Sequence, residues 1–434
     1  MASFRDASHN AVLAVSALNN MERYREQHTL ESPVNNINDN TQELGTLTLP
    51  VTLWKESLAT AGAERLLEQI CGYLKQQHAS HKLFDARCLW AKYRLGLPLQ
   101  HPSSFSDVPP EHREAFEQAF ISAAREAGRD LLQRRKFREA WIYFHAIHEL
   151  QPLREALEQC PILSEASEDS EEVIEVALFK LVHPIKGVQV MLQTHGTCST
   201  ITSLDQIFAQ MQGEDRAGCA AVLVRSLHRD LLHNVQRDVQ RRLPFVPLAA
   251  TLRELVAGRE WLFAEGNYHI DCSHLQAVVR FARALQQGMP ELELARDLTE
   301  YGSHLAQQFQ YPGEPPFQDF YLSHREFFRV LLGEDREVAL NYFRQQLEQS
   351  EEEHARTLCA YVLVDLLVRI QRLEEAIPLA EKYLLPGDEQ FASGFVELCL
   401  QAGRYDVLER VAAGRGDAVT WAAAVLQQYR LAHQ

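Results

Sequence analysis

Imidazole and carboxylate side chains are concentrated in the middle of the chain, in a pattern compatible with a metal site. The densest stretch is YHIDCSHLQ, residues 268–276. Neutral imidazole and carboxylate are the usual protein ligands of zinc and non-haem iron. The sequence therefore offers one set of candidate metal ligands: His195, His269, Asp271 and His274. Either His183 or His228 could supply a further ligand to the same site.

Most of this stretch also has a structural explanation. The letters SHLQ match a helix-capping box, with Ser273 as the N-cap and Gln276 three residues later. Asp271 would place negative charge beside the positive end of that helix. Gly196 is the kind of residue that ends a helix, so His195 would lie in a last turn, where the macrodipole favours a cation. The explanation leaves His269 and His274 without a structural role.

Other catalytic signatures are missing from the sequence. It contains no phosphate-binding Walker loop, no dinucleotide glycine pattern, no GxSxG elbow and no HExxH motif. His228 and His233 are five residues apart and would point about 140° apart on a regular helix, so they cannot both ligate one ion. A metal-dependent enzyme with zinc or iron in the central region is therefore the alternative hypothesis. The primary expectation is a protein without a cofactor.

The composition narrows the classes of partner. The 434 residues include 43 basic and 59 acidic side chains, which gives a formal net charge of −16. Such a chain repels nucleic-acid phosphates and anionic membrane surfaces, so we expect neither as a partner. Its eight cysteines are scattered without a CxxC pair, which indicates reduced thiols and a cytoplasmic location. No apolar run reaches the roughly 18 residues that a membrane span needs.

Apolar residues recur at three- and four-residue spacing through most of the chain, which predicts an all-α fold. Two segments interrupt this period: the acidic PILSEASEDSEE and the proline-rich QYPGEPPFQ. We therefore predict the following organisation along the chain: a loosely ordered leader over 1–50, an N-terminal helical region with one repeat unit over 51–160, an acidic linker over 161–172, a central helical region over 173–312 and a C-terminal helical repeat array over 313–434.

A repeat-like pattern occupies AAREAGRDLLQRRKFREAWIYFHAIHELQP, residues 123–152. Gly128 is a small residue in the first helix, and Ala140 is its counterpart in the second, followed by Phe144 and Pro152. This unit resembles the tetratricopeptide repeat, a pair of antiparallel helices with a small-residue contact between them. Departures from the family pattern are alanines where it has Trp and Leu: Ala124 and Ala127. Weaker units follow in residues 319–413, and the residues between do not fit the repeat.

The resemblance implies an α-solenoid of stacked helical hairpins with a divergent centre. In this family such stacks bind peptides or partner proteins on a concave surface, so we expect a protein- or peptide-binding scaffold or adaptor. Arg125 and Arg129 are four residues apart and share a helix face, where they could clamp a carboxylate of a bound peptide. The alternative is a solvated basic face on which they pair with Glu126 or Asp130.

Overall fold

The computed structural model describes residues 49–162, 165–211, 213–243, 251–385 and 389–433. Regular structure in these ranges is helical throughout, without a β-strand, so the fold is all-α as the apolar spacing predicts. Across the same ranges, no helix has the length and apolar character needed to cross a lipid bilayer. The predicted leader falls outside the described ranges except for its last two residues.

The chain divides into two compact units, Met1–His195 and Gly196–Gln434. The first contains these helices: α1 Val51–Gln76, α2 Ser80–Arg94, α3 Pro110–Gln133, α4 Phe137–Ala146, α5 Gln151–Glu158 and α6 Glu168–Ile174. Helix α6 begins within the predicted acidic linker, where Ser167 caps it and Glu168 and Asp169 form its first turn. Helix α7, Pro184–Ile207, crosses the boundary, and its backbone is non-helical at Gly196, with φ 77° and ψ 179°.

In the first unit, consecutive helices pack on each other from α1 through to α5. Aromatic rings fill the space between α2, α3 and α4. Phe84 lies edge-to-face on Phe120 and on Tyr143, each with ring centroids 5.1 Å apart. All three rings are buried, so this aromatic contact forms the core that fixes α3 between its two neighbours.

At Gly128, α3 lies directly against the ring of Phe144 on α4. A methyl group at this position would lie 2.7 Å from Cε2 of Phe144, which is closer than van der Waals contact allows. Ala140 on the facing helix is fully buried, as is Phe144. The predicted role of Gly128 as a small residue between two helices is therefore confirmed by the geometry of this pair.

The second unit is built from the following helices: α8 Gly213–Arg242, α9 Leu252–Val256, α10 Cys272–Phe281, α11 Glu291–Ser303, α12 Phe320–Leu332, α13 Arg336–Gln349, α14 Glu353–Arg369, α15 Leu373–Tyr383, α16 Glu389–Gln401, α17 Tyr405–Arg415 and α18 Ala418–Ala432. Helix α8 is its longest element and contacts α9, α10 and α11. From α11 to α18, every helix packs on its successor. The helices in this part are therefore arranged in chain order.

Helix α10 begins differently from the capping-box prediction. Asp271 is the N-cap, and its Oδ1 accepts hydrogen bonds from the backbone N–H of Ser273 at 2.8 Å and of His274 at 3.1 Å. Ser273 lies inside the first turn, and its hydroxyl donates to the same Asp271 oxygen at 2.5 Å. The helix is thus capped two residues earlier than predicted, by a carboxylate that also suits the positive end of the helix.

Candidate peptide-binding surface

The two arginines predicted to bind a peptide lie on α3, in the first unit. Arg125 holds a carboxylate already: its Nε and Nη2 donate to Glu149 at 2.8 and 2.5 Å. These hydrogen bonds raise the pKa of Arg125 and lower that of Glu149. Arg129 is exposed. The fork of Arg125 therefore binds an internal carboxylate, and its partner is neither of the two acids considered from sequence.

A groove lies between α2 and α3, and its lining includes neither Arg125 nor Arg129. It has a volume of about 520 Å³. Its lining includes five small side chains: Ala91, Ala115, Ala119, Ser122 and Ala123. The four on α3 recur at three- and four-residue spacing, so they form one stripe along the helix. Small side chains leave room for another backbone to come close to α3.

Trp90 lines this groove and lies between two guanidinium groups. The Cζ atoms of Arg87 and Arg94 lie 5.6 and 4.7 Å from its ring centroid. The indole Nε1 donates to Glu64 on α1 at 2.7 Å, and the same carboxylate accepts from Arg94. The ring is half-buried. Its orientation is therefore fixed from two sides before any partner binds.

The charges along the groove are balanced in pairs. Arg87 donates to Glu126 through Nε at 2.7 Å and Nη2 at 3.1 Å, which raises the pKa of Arg87. Burial acts to raise the pKa of Glu126, but the hydrogen bonds from Arg87 and Lys75 hold it below its usual range. The groove thus presents an aromatic ring and small side chains without an excess of either charge. This chemistry suits a neutral or mildly polar polypeptide surface.

We did not predict this groove from the sequence, although the sequence contains a signal for it. Arg87, Trp90 and Arg94 are separated by three and four residues, so they share a face of α2. A tryptophan flanked by two arginines on one helix face is typical of binding surfaces, where these residue types are enriched. Their position beside the alanine stripe depends on the packing of α2 against α3, which the sequence does not specify.

Of the candidate metal ligands, His269 has the most complete set of partners. Its Nε2 lies 3.2 Å from Oδ2 of Asp238, and its Nδ1 lies 3.0 Å from the hydroxyl of Tyr301. A carboxylate accepts, so Nε2 donates to Asp238 and Nδ1 accepts from Tyr301. The ring is 5% exposed. Both ring nitrogens are therefore engaged in a buried contact between α8 and α11.

Two of the other candidate ligands, Asp271 and His195, also have local partners. Asp271 caps α10, and the hydrogen bond from Ser273 is the main cause of its lowered pKa. His274 is half-buried in the first turn of that helix. His195 belongs to the first unit, where its Nε2 lies 2.9 Å from Oε1 of Glu171. Throughout the described ranges, no three His, Cys, Asp or Glu side chains are grouped so that they could hold a metal ion.

The two further histidines considered as ligands form carboxylate pairs as well. Nε2 of His183 lies 2.5 Å from Glu158, and Nε2 of His228 lies 3.9 Å from Asp297. Each pair joins one imidazole with one carboxylate from a different helix or turn. The central histidines are thus distributed over separate contacts. Compared with known proteins, the chain matches no family model, no curated protein and no solved structure.

Proposed function

We propose that this protein is a helical scaffold or adaptor that binds a polypeptide segment in the groove between α2 and α3. The observation that carries the proposal is the position of Trp90, held between Arg87 and Arg94 beside a stripe of small side chains. Tryptophan and arginine dominate the binding energy of many protein interfaces. The bound partner is a protein or peptide, and the setting is cytoplasmic.

The small side chains give the groove its selectivity. A helix or extended segment that places small or flat side chains against Ala119 and Ala123 can bring its backbone close to α3. Trp90 would then cover the apolar side of that segment, and its orientation is already fixed by Glu64 and Arg94. A fixed aromatic ring loses little conformational entropy on binding, so most of its contact energy is retained.

The packing of the other helices supports the same class of function. Chain-order packing from α11 to α18 is the arrangement expected of stacked helical hairpins. We include in the proposal that these hairpins form an α-solenoid with units of the tetratricopeptide type. Proteins of this architecture carry extended binding surfaces and need no catalytic centre.

Selection from a displayed peptide library on the purified full chain tests the proposal. Selected peptides are synthesised with a fluorophore, and their dissociation constants are measured by fluorescence anisotropy. We expect saturable binding that Trp90→Ala weakens about tenfold or more, because loss of an aromatic anchor costs about 1–2 kcal/mol or more.

Tyr93→Ala provides the matched control, because Tyr93 lies on the same helix, is 44% exposed and does not line the groove. It should leave the dissociation constant within about twofold. Ala119→Leu fills the groove without removing a contact and should weaken binding as Trp90→Ala does. Failure to select any saturable ligand, or equal losses in Trp90→Ala and Tyr93→Ala, would contradict the proposed site.

A further inference from the structure

A second concavity, in the second unit, has a different chemistry from the groove. It has a volume of about 700 Å³ and lies among α10, the non-helical residues 310–318, α12 and α14. That volume is within the range of small-molecule sites, roughly 300–1,000 Å³. Its lining combines aromatic rings with two arginines, Arg280 and Arg283, and one carboxylate, Glu314.

Arg283 is the first of two unusual groups in this pocket. Its guanidinium lies against Phe317, with Cζ 4.7 Å from the ring centroid, and its Nε donates to the carbonyl of Arg280 at 3.3 Å. Among the described residues, no carboxylate lies within ion-pair distance of it. Burial, assisted by the charges of Arg280 and Arg369, lowers the pKa of Arg283, whereas Asp365 and Glu314 oppose that shift.

The neighbouring arginines each have a carboxylate partner. Arg280 pairs with Asp205 at 2.6 Å, and Arg369 pairs with Asp365 at 3.0 Å. A guanidinium cannot lose its proton in a protein, so Arg283 remains a cation in a partly apolar surrounding. A half-buried cation without a counter-ion is costly unless another group neutralises it. The pocket therefore presents one positive charge ready for an anion.

His324 is the second unusual group. It is 1% exposed, and its Nδ1 lies 2.7 Å from the carbonyl of Phe320, so Nδ1 carries the proton and donates. Nε2 then bears a lone pair, and it has no hydrogen-bond partner among the described residues. Burial, together with the charge of Arg283, lowers the pKa of His324 to about 3. The ring is neutral at physiological pH.

Aromatic rings surround this histidine. The ring centroids of Phe317 and Phe320 lie 4.3 and 4.2 Å from that of His324, and both phenylalanines are buried. The pocket thus offers three kinds of contact close together. They are an unpaired cation, an unpaired hydrogen-bond acceptor and an apolar wall.

We infer that this pocket binds a small carboxylic acid that carries an aromatic or apolar group and an N–H or O–H next to the acid. The carboxylate pairs with Arg283, which supplies a planar fork suited to two parallel hydrogen bonds. The adjacent N–H or O–H donates to Nε2 of His324. The apolar group lies against Phe317 and Phe320. This site is separate from the groove between α2 and α3, and its test does not depend on that groove.

Isothermal titration of the purified full chain with N-acetylphenylalanine tests the inference. This probe carries the carboxylate, the adjacent N–H and an aromatic ring. We expect saturable binding, a loss of about tenfold or more for N-acetylphenylalaninamide, which lacks the carboxylate, and a loss of about fivefold for 3-phenylpropionate, which lacks the N–H. Because these comparisons use the unmodified protein, they hold even if a variant fails to fold.

Two variants assign the contacts. Arg283→Gln should weaken N-acetylphenylalanine about tenfold or more without lowering thermal stability by more than a few degrees, because the replaced cation has no carboxylate partner and loses only its contacts with Phe317 and the carbonyl of Arg280. His324→Phe should weaken N-acetylphenylalanine about fivefold but leave 3-phenylpropionate unchanged. Arg325→Gln is the control, since Arg325 follows His324 on α12 and does not line the pocket.

Three results would overturn the inference. One is equal binding of the acid and the amide, and another is unchanged binding in a folded Arg283→Gln variant. The third concerns the source of the carboxylate. A tetrapeptide ending in free phenylalanine should bind no more tightly than the capped amino acid, and a gain of more than about tenfold would assign the pocket to a polypeptide terminus instead.

Discussion

His324 illustrates how strongly one residue can depend on its surroundings. A histidine in water changes charge near neutral pH, but this ring is enclosed by Phe317 and Phe320 and faces the charge of Arg283. Its protonated form is therefore excluded from the folded protein over most of the accessible pH range. The unfolded chain has no such restriction, so the two states bind different numbers of protons.

This difference predicts an acid sensitivity of stability. The pKa of His324 is lowered to about 3 in the folded state, against about 6.5 in an unfolded chain. Below about pH 6.5 the unfolded state binds a proton that the folded state rejects, so the free energy of unfolding falls by up to about 1.4 kcal/mol per pH unit. His324→Phe should remove this acid-induced loss of stability, as measured by urea unfolding at pH 7, 6 and 5.

His354 is exposed, so His354→Phe is the control. Parallel curves of unfolding free energy against pH for wild type and His324→Phe would exclude a contribution of His324.

The outcome at His269 and at Asp271 defines what the sequence can predict for single residues. The negative charge at the start of α10 was predicted, because a cap depends on residues two and three positions away. The partners of His269 come from Asp238 and Tyr301, about thirty residues away on either side. Spacing along the chain carries no information about such a contact. Arg125 likewise pairs with Glu149, which lies in the connection between α4 and α5.

At the scale of helices, a glycine acts in opposite ways according to its neighbours. Gly128 faces the ring of Phe144, whereas a methyl group at Gly72 on α1 would meet open space. Alanine favours the helical state by up to about 1 kcal/mol at both positions. Only at Gly128 does the added methyl group collide with a buried ring.

We expect the same substitution to have opposite effects at these two glycines. Gly128→Ala should destabilise the protein by about 1–2 kcal/mol, since overpacking costs about 1–3 kcal/mol and helix propensity returns part of it. Gly72→Ala should raise the free energy of unfolding by about 0.5–1 kcal/mol. Urea denaturation followed by far-ultraviolet circular dichroism measures both. Stabilisation by both variants would mean that Phe144 moves aside without cost.

The presence of helices was predictable because it follows from the local spacing of apolar residues. The ends of the helices and the contacts between them were less predictable. Leu275, Val278, Ala282 and Leu285 recur at three- and four-residue spacing, which predicts a helix that continues through Leu285. The α-helix instead ends at Phe281, and one 3₁₀ turn, Ala282–Ala284, follows. That turn carries Arg283, the cation of the second pocket. The proline-rich residues 310–318 were correctly expected to be non-helical, yet their role as a pocket wall depends on how α10 and α12 pack.

For the molecule as a whole, composition and period predicted the all-α class, since both are properties that add up along the chain. The division of the chain into two units at Gly196 depends on which helices pack together, and no change of composition marks that point. Which cysteines are buried also depends on helix packing. Seven of the eight cysteines are buried, and Cys198 alone is exposed. Burial raises the pKa of the Cys219 thiol to about 12 and that of the Cys399 thiol to about 11.

Titration of the thiols should distinguish the exposed Cys198 from the seven buried cysteines. In the native protein, an aromatic disulfide reagent should titrate one cysteine rapidly, and Cys198→Ser should abolish that phase, because reaction requires an accessible thiolate. In denaturant the same reagent should titrate all eight. Rapid reaction of two or more native thiols would show that the buried cysteines become accessible by local opening.

The exposure of Cys198 also has a practical consequence. It lies two residues after Gly196, where the chain passes from one unit to the other. A fluorophore or nitroxide attached there needs no prior removal of the other cysteines. Combined with a second label at an engineered surface cysteine in either unit, it makes the distribution of distances within the protein measurable by spectroscopy, with and without a bound peptide or acid.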